Sequence, residues 1–223
     1  MTATEIRTVR IDAGAGAVTV RAADVTEPIV DAGHAHQIDH TLIVHAASHR
    51  VSVVVPFGTD VVVLALAGRV TTTGRLGRVV VTAGAGRIDV EHADSIDVRA
   101  TAARVTVGRC MGECRLKLAT GRADIDHVGS LHLMSDAGRV SAREVDDEAT
   151  VRATTGRVDI GVNGGGDVDI ETLHGRIEVT VHGTALPHMA VRSGHGAVRL
   201  DVPDGDDFNL RVLTAHGRVE VGR

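Results

Sequence analysis

The feature that most constrains this chain is a five-residue pattern, glycine-arginine-aliphatic-acid-aliphatic, that returns at nearly even steps. Its clearest copy is Gly156-Arg157-Val158-Asp159-Ile160, with near-copies starting at Gly86, Ala103, Gly121, Gly138, Gly175 and Gly217 and looser ones at Gly68 and Gly196. Taken in order from Gly68, these positions are separated by 18, 17, 18, 17, 18, 19, 21 and 21 residues. A unit of that size cannot bury its own apolar face, so copies must stack on one another, and the stack is a solenoid.

Each period holds a second alternating stretch, such as Ile96-Asp97-Val98-Arg99, Leu131-His132-Leu133-Met134 and Ala149-Thr150-Val151-Arg152. Side chains alternate across a strand, so Ile96, Val98, Leu116, Leu133, Val151 and Ile170 point inward together with Val158 and Ile160. Arg157 and Asp159 then point outward. Aromatic residues are 1% of the chain, with Phe57 and Phe208 the only two, so the interior must be narrow and aliphatic. The expected fold is all-β, a single-domain β-solenoid with two short strands per 17- to 21-residue coil and parallel stacking about 4.8 Å apart. Residues 1–57 repeat less clearly and are expected to cap the first coil, either as strands in a hairpin or as degenerate coils; residues 58–223 form one continuous repetitive domain. In the cap, Ala13-Gly14-Ala15-Gly16 reads as a turn between two strands, and His49-Arg50-Val51-Ser52-Val53 resembles the repeat.

The lead-in Val53-Val54-Val55-Pro56-Phe57-Gly58-Thr59-Asp60-Val61-Val62-Val63, followed by Ala67-Gly68-Arg69-Val70 and the tandem repeat units, carries a family resemblance. It resembles the bacterial putative-adhesin β-solenoid domains of unknown function (DUF4097-type). That resemblance implies a β-solenoid without an established catalytic activity. Many members of the family carry a membrane segment or export signal. Here the first residues lack an apolar signal core and no run approaches the length of a membrane span, so a cytoplasmic protein without direct membrane insertion is expected.

A formal net charge of -5 and the scarcity of aromatics argue against nucleic-acid binding, which needs phosphate neutralisation and stacking platforms. Cys110 and Cys114 align with core positions of other coils and read as small hydrophobes. No nucleophile elbow, phosphate loop or His-Glu-x-x-His zinc helix is present, glycines punctuate turns, and no cofactor is implied. An enzyme is not expected; a carbohydrate-active one would lack aromatic sugar platforms.

Three surface features remain. Arg69, Arg87, Arg104, Arg122, Arg139, Arg157 and Arg176 share one repeat position, either as an interaction stripe or as a ladder neutralised by Asp89, Asp124, Asp159 and Glu178 two residues on. His174, His195 and His216 each precede the repeat glycine in the last three coils, as polar turn residues or as candidate metal ligands. The set His34, His36, His40, His45 and His49 is a weaker metal candidate. Gly164-Gly165-Gly166 and the acidic groups Asp146-Asp147-Glu148 and Asp204-Gly205-Asp206-Asp207 read as loops. Finally, the last repeat strand carries Val219 and Val221, which would be uncovered at the end of the stack. The expected function is therefore a structural or interaction scaffold that self-associates or engages a protein partner, with a metal- or ligand-binding module built on the stacked histidines as the alternative.

Overall fold

A computed structural model of the chain describes residues 5–46, 50–163, 166–182, 188–203 and 210–222, and every regular element among them is a β-strand. His49, Gly164, Gly165 and the acidic stretch 204–207 lie outside the described residues. The strands are β1 (Thr8–Ala23), β2 (Ile29–Val30), β3 (His34–Ile38), β4 (Thr41–His45), β5 (Arg50–Pro56), β6 (Asp60–Val145), β7 (Ala149–Val162), β8 (Asp167–Val181), β9 (His188–Asp201) and β10 (Leu210–Gly222). They fall into two compact units, Met1–Cys110 and Met111–Arg223, and β6 contributes to both.

In the second unit the sequence repeat is also the spatial repeat. The end of β6 pairs with β7, β7 with β8, β8 with β9 and β9 with β10, all in parallel. Their register aligns Gly138, Gly156, Gly175, Gly196 and Gly217, so steps of 18, 19, 21 and 21 residues each close one coil. The two arms of a coil are joined into one strand that bends at the glycine. Before the bend of β7 the buried apolar side chains are Ala149, Val151 and Ala153; after it they are Val158, Ile160 and Val162. The inward set thus changes from odd to even positions across the corner, which lets both arms face the same core.

That change of phase explains the glycine. Gly156 has φ 137° and Gly175 φ 153°, a region that a side chain disfavours. A Cβ on Gly175 would stand 1.9 Å from the carbonyl oxygen of Gly156, so the tight stacking excludes even alanine. Ala103 occupies the glycine position of its own repeat and is buried, but it lacks this conformation: Asp39 is the one described non-glycine residue with positive φ. That repeat turns its corner differently.

The first unit departs from sequence order. Strand β1 is one continuous coil, with Gly16 in register with Gly68, Val18 with Val70 and Val9 with Val61. The stretch read as a turn is therefore a repeat corner. On its other edge β1 pairs in parallel with both β4 and β5, which take the two arms of the neighbouring rung and do not pair with each other. The chain starts in the second rung, goes out to build the first, and returns at Asp60 to build the third. Outside the first rung lie β3, antiparallel to β4, and β2, antiparallel to β5. A parallel coil cannot continue in register across an antiparallel strand, so these two short strands close that edge.

The core of both units is aliphatic. Cys110 and Cys114 are fully buried, as are Ala93, Ile96, Val128, Leu131 and Val145 at corresponding places in other coils.

Candidate functional site: the outer ladders and the coil corners

The outward arginines sort themselves by what the next two residues supply. In the second unit Arg122 Nε donates to Asp124 at 2.7 Å, and Arg157 bridges two rungs, donating from Nε to Asp159 at 2.7 Å and from Nη2 to Glu178 at 2.8 Å. Arg139 has Ser141 where the acid would stand and reaches across to Asp159 of the next rung at 3.2 Å. The hydrogen bond and charge of Asp159, followed by the charge of Glu178, raise the pKa of Arg157 above its ordinary value. Arg176 is exposed and has no ion-pair partner among the described residues, because Glu178 is held by Arg157. In the first unit Arg87 holds both oxygens of Asp89 at 2.8 and 2.9 Å, while Arg69 and Arg104 stand exposed without an ion-pair partner among the described residues. Exposed pairs of this kind are worth less than about 1 kcal/mol each, so the ladder relieves repulsion between stacked arginines more than it stabilises the fold.

The histidine column is physically a column. His174, His195 and His216 are in register on β8, β9 and β10 and exposed. The first two rings stack with centroids 5.0 Å apart and planes 10° from parallel; the second two are again 5.0 Å apart, tilted by 37°. A single file of rings one rung apart does not by itself surround one point as a tetrahedral metal site requires. Among the described residues no group of three or more His, Cys, Asp or Glu forms a metal-holding cluster. In the N-terminal set, His36 stacks on His45 at 5.5 Å, His45 lies 3.6 Å from Asp12, and His40 contacts the Glu5 carbonyl.

Two arrangements escaped the sequence reading. At another corner of the second unit, the His127 ring lies between two carboxylates of the following rung, with Nδ1 3.1 Å from Glu144 and Nε2 2.9 Å from Asp146; Asn163, one rung further, donates to Asp146 at 3.2 Å. The hydrogen bond from His127 holds the Glu144 carboxyl below its ordinary pKa. Its members come from unrelated positions of successive repeats, so no spacing announces them. The other is a groove of about 720 Å³ that crosses β6 to β10, lined by Met134, Ser135, Thr172, Leu173, Ser193 and Thr214 among others. The hydroxyls of Thr172, Ser193 and Thr214 are buried without a hydrogen-bond partner among the described residues. They sit two residues before each histidine of the column, and aligning the repeats by their glycines would have revealed them.

The last rung differs from those before it. Val219 and Val221 are 40% and 51% exposed, whereas Val198 and Leu200, their register partners on β9, are 1% and 0% exposed. Arg218 and Glu220, on either side of Val219, pair with each other at 2.8 Å.

No protein-family model and no curated protein matches the chain. Two solved structures do. A putative adhesin from Parabacteroides distasonis aligns over 99% of this chain and 94% of its own, at 12% identity and a TM-score of 0.51. A putative adhesin from Bacteroides fragilis aligns over 98% and 92%, at 14% identity and a TM-score of 0.33. What the chain shares with the first of these, at such low identity, is the β-solenoid fold.

Proposed function

We propose that this chain is a non-enzymatic interaction scaffold that self-associates through the free edge of β10. The observation that carries the proposal is the exposure of Val219 and Val221 at positions that are core in the preceding rung. Strand β10 pairs with β9 along one edge, and among the described residues no strand covers the backbone groups of its other edge or its share of the core. The occupant that fits is a second copy of β10 running antiparallel about a two-fold axis at Val219. In that register Arg218 of one copy faces Glu220 of the other, so the charged positions are complementary to themselves, as an isologous contact requires. The likeness to structures described as putative adhesins agrees with an interaction role without naming a partner. Elsewhere the repeat spends its residues on structure: glycine turns, valine and isoleucine fill, arginine and acid pair.

A cysteine at the two-fold tests the register. Val219→Cys should form an intermolecular disulfide under mild oxidation, because directly opposed residues bring their Cβ atoms within about 4.5–5.5 Å. Arg69→Cys, in the first unit, should not. The native cysteines are buried and do not interfere. Equal cross-linking of the two variants removes β10 as the interface.

A further inference from the structure

The histidine column stands in an environment unlike that of the arginine ladder. Within two residues of Thr155, His174, His195 and His216, the register-equivalent positions of β7 to β10, the charged side chains are Arg157, Arg176 and Arg218, and none is a carboxylate. Arg157 is engaged by Asp159 and Glu178, and Arg218 by Glu220; Arg176 is free of ion pairs among the described residues. Three residues before the column lie Glu171 on β8, without an ion-pair partner among the described residues, and Arg192 on β9, held by Asp169 at 2.9 Å. Where Arg87, Arg122 and Arg157 have an acid two residues on, the imidazoles have a glycine and then arginine or alanine.

Stacked neutral imidazoles carry no net charge, so the unprotonated column meets no charge repulsion. Once protonated, the three imidazoles would be cations at 5.0 Å spacing beside Arg176, and Glu171, three residues from the column, is a single carboxylate against four positive charges. The compensation must then come from outside. Because the positive groups are arrayed one per rung along three rungs, a ligand that places negative groups in a line answers all of them, and a single ion does not. We propose that His174, His195 and His216, with Arg176, form an acid-gated binding site for a linear polyanion carrying phosphate or sulfate groups. This site lies on the outer corner of the coil and does not depend on association through β10.

The test uses the full chain, with long-chain inorganic polyphosphate and dextran sulfate as probes and orthophosphate as the single-ion control, in calorimetric titrations at pH 5.5 and 7.5 and constant ionic strength. At least one polymer should bind tenfold or more tightly at pH 5.5 than at pH 7.5, and which of them binds identifies the anionic group. Orthophosphate should bind at least a hundredfold more weakly than that polymer. The triple variant His174→Thr, His195→Thr, His216→Thr should lose most of the pH dependence. Threonine already stands at this place in β7, as Thr155, so the variant keeps the local geometry. The control His34→Asn, His36→Asn, His45→Asn removes as many ionisable groups elsewhere and should retain the wild-type ratio. The proposal is overturned if neither polymer binds, if orthophosphate binds as tightly as the polymer, if the triple variant keeps the ratio, or if the control loses it equally.

Discussion

The rung built by β4 and β5 is an edge of the parallel stack in the first unit and the rung built by β10 an edge of the stack in the second, and the chain treats them differently. At the first, β3 and β2 run antiparallel along the outside, and the residues beneath are as buried as any in the core: Val44, Val51, Val53 and Val55 are all fully covered. At the last, nothing described lies outside β10, and its core residues face solvent. The same inward-facing valines are core in one place and surface in the other. What differs is the direction of the next strand, since an antiparallel neighbour satisfies an edge without offering a template for another parallel coil. One edge is covered by strands of its own chain and the other, among the described residues, is not.

The comparison can be broken at its strongest point by placing a charge in each rung. Val53→Asp buries an uncompensated carboxylate and should cost more than about 4 kcal/mol, enough to unfold the first rung in a urea titration. Val221→Asp should change the stability of the monomer by less than about 0.5–1 kcal/mol and abolish self-association. A second contrast uses glycine corners. Gly175→Ala sets a Cβ against the Gly156 carbonyl between two stacked rungs and should cost about 3 kcal/mol or more, read from the urea midpoint. Gly217→Ala meets the Gly196 carbonyl equally closely, but a rung stacked on one side can draw back, so roughly half that loss is expected.

A smaller effect should come from loosening the closed edge. Gly33 has φ 115° and leads into β3, where a Cβ would lie 2.7 Å from the His45 carbonyl. Gly33→Val should therefore lift β3 from β4 at a cost of about 1–3 kcal/mol. If the antiparallel strands are what prevents further stacking, this variant should form species larger than a dimer on size exclusion, and the wild type should not.

The smallest prediction concerns pH. The pKa of Glu144 is lowered in the folded state, so its contribution to stability is fully present above the unfolded value of 4.5 and is lost as pH falls through the folded value. The urea midpoints of wild type and Glu144→Gln should differ slightly at pH 7 and converge near pH 3. A difference that persists at pH 3 would show that the carboxylate does not act through its charge on His127.

The coil itself was legible in the sequence because each of its constraints repeats. Glycine spacing fixes the register to the residue from Gly138 to Gly217, and alternation picks out Val151, Val158, Ile160 and Ile170 as core. The stacked histidines followed from the same alignment. Order in space was not legible: nothing in residues 8–56 says that β1 sits between the rung that follows it and β6, because parallel pairing reads side-chain pattern and not sequence distance. The clamp on His127 was hidden for the opposite reason, since His127, Glu144 and Asp146 occur once each and meet only because the rungs stack.

The central claim is that the free edge of β10 pairs with its own copy, and sedimentation equilibrium of the wild type beside Glu220→Lys tests it most directly. The account predicts a reversible dimer of twice 23.2 kDa for the wild type, weakened at least tenfold by Glu220→Lys, which sets lysine against Arg218. A wild type that stays at 23.2 kDa at the highest concentration reached, or a dimer indifferent to the substitution, would contradict it.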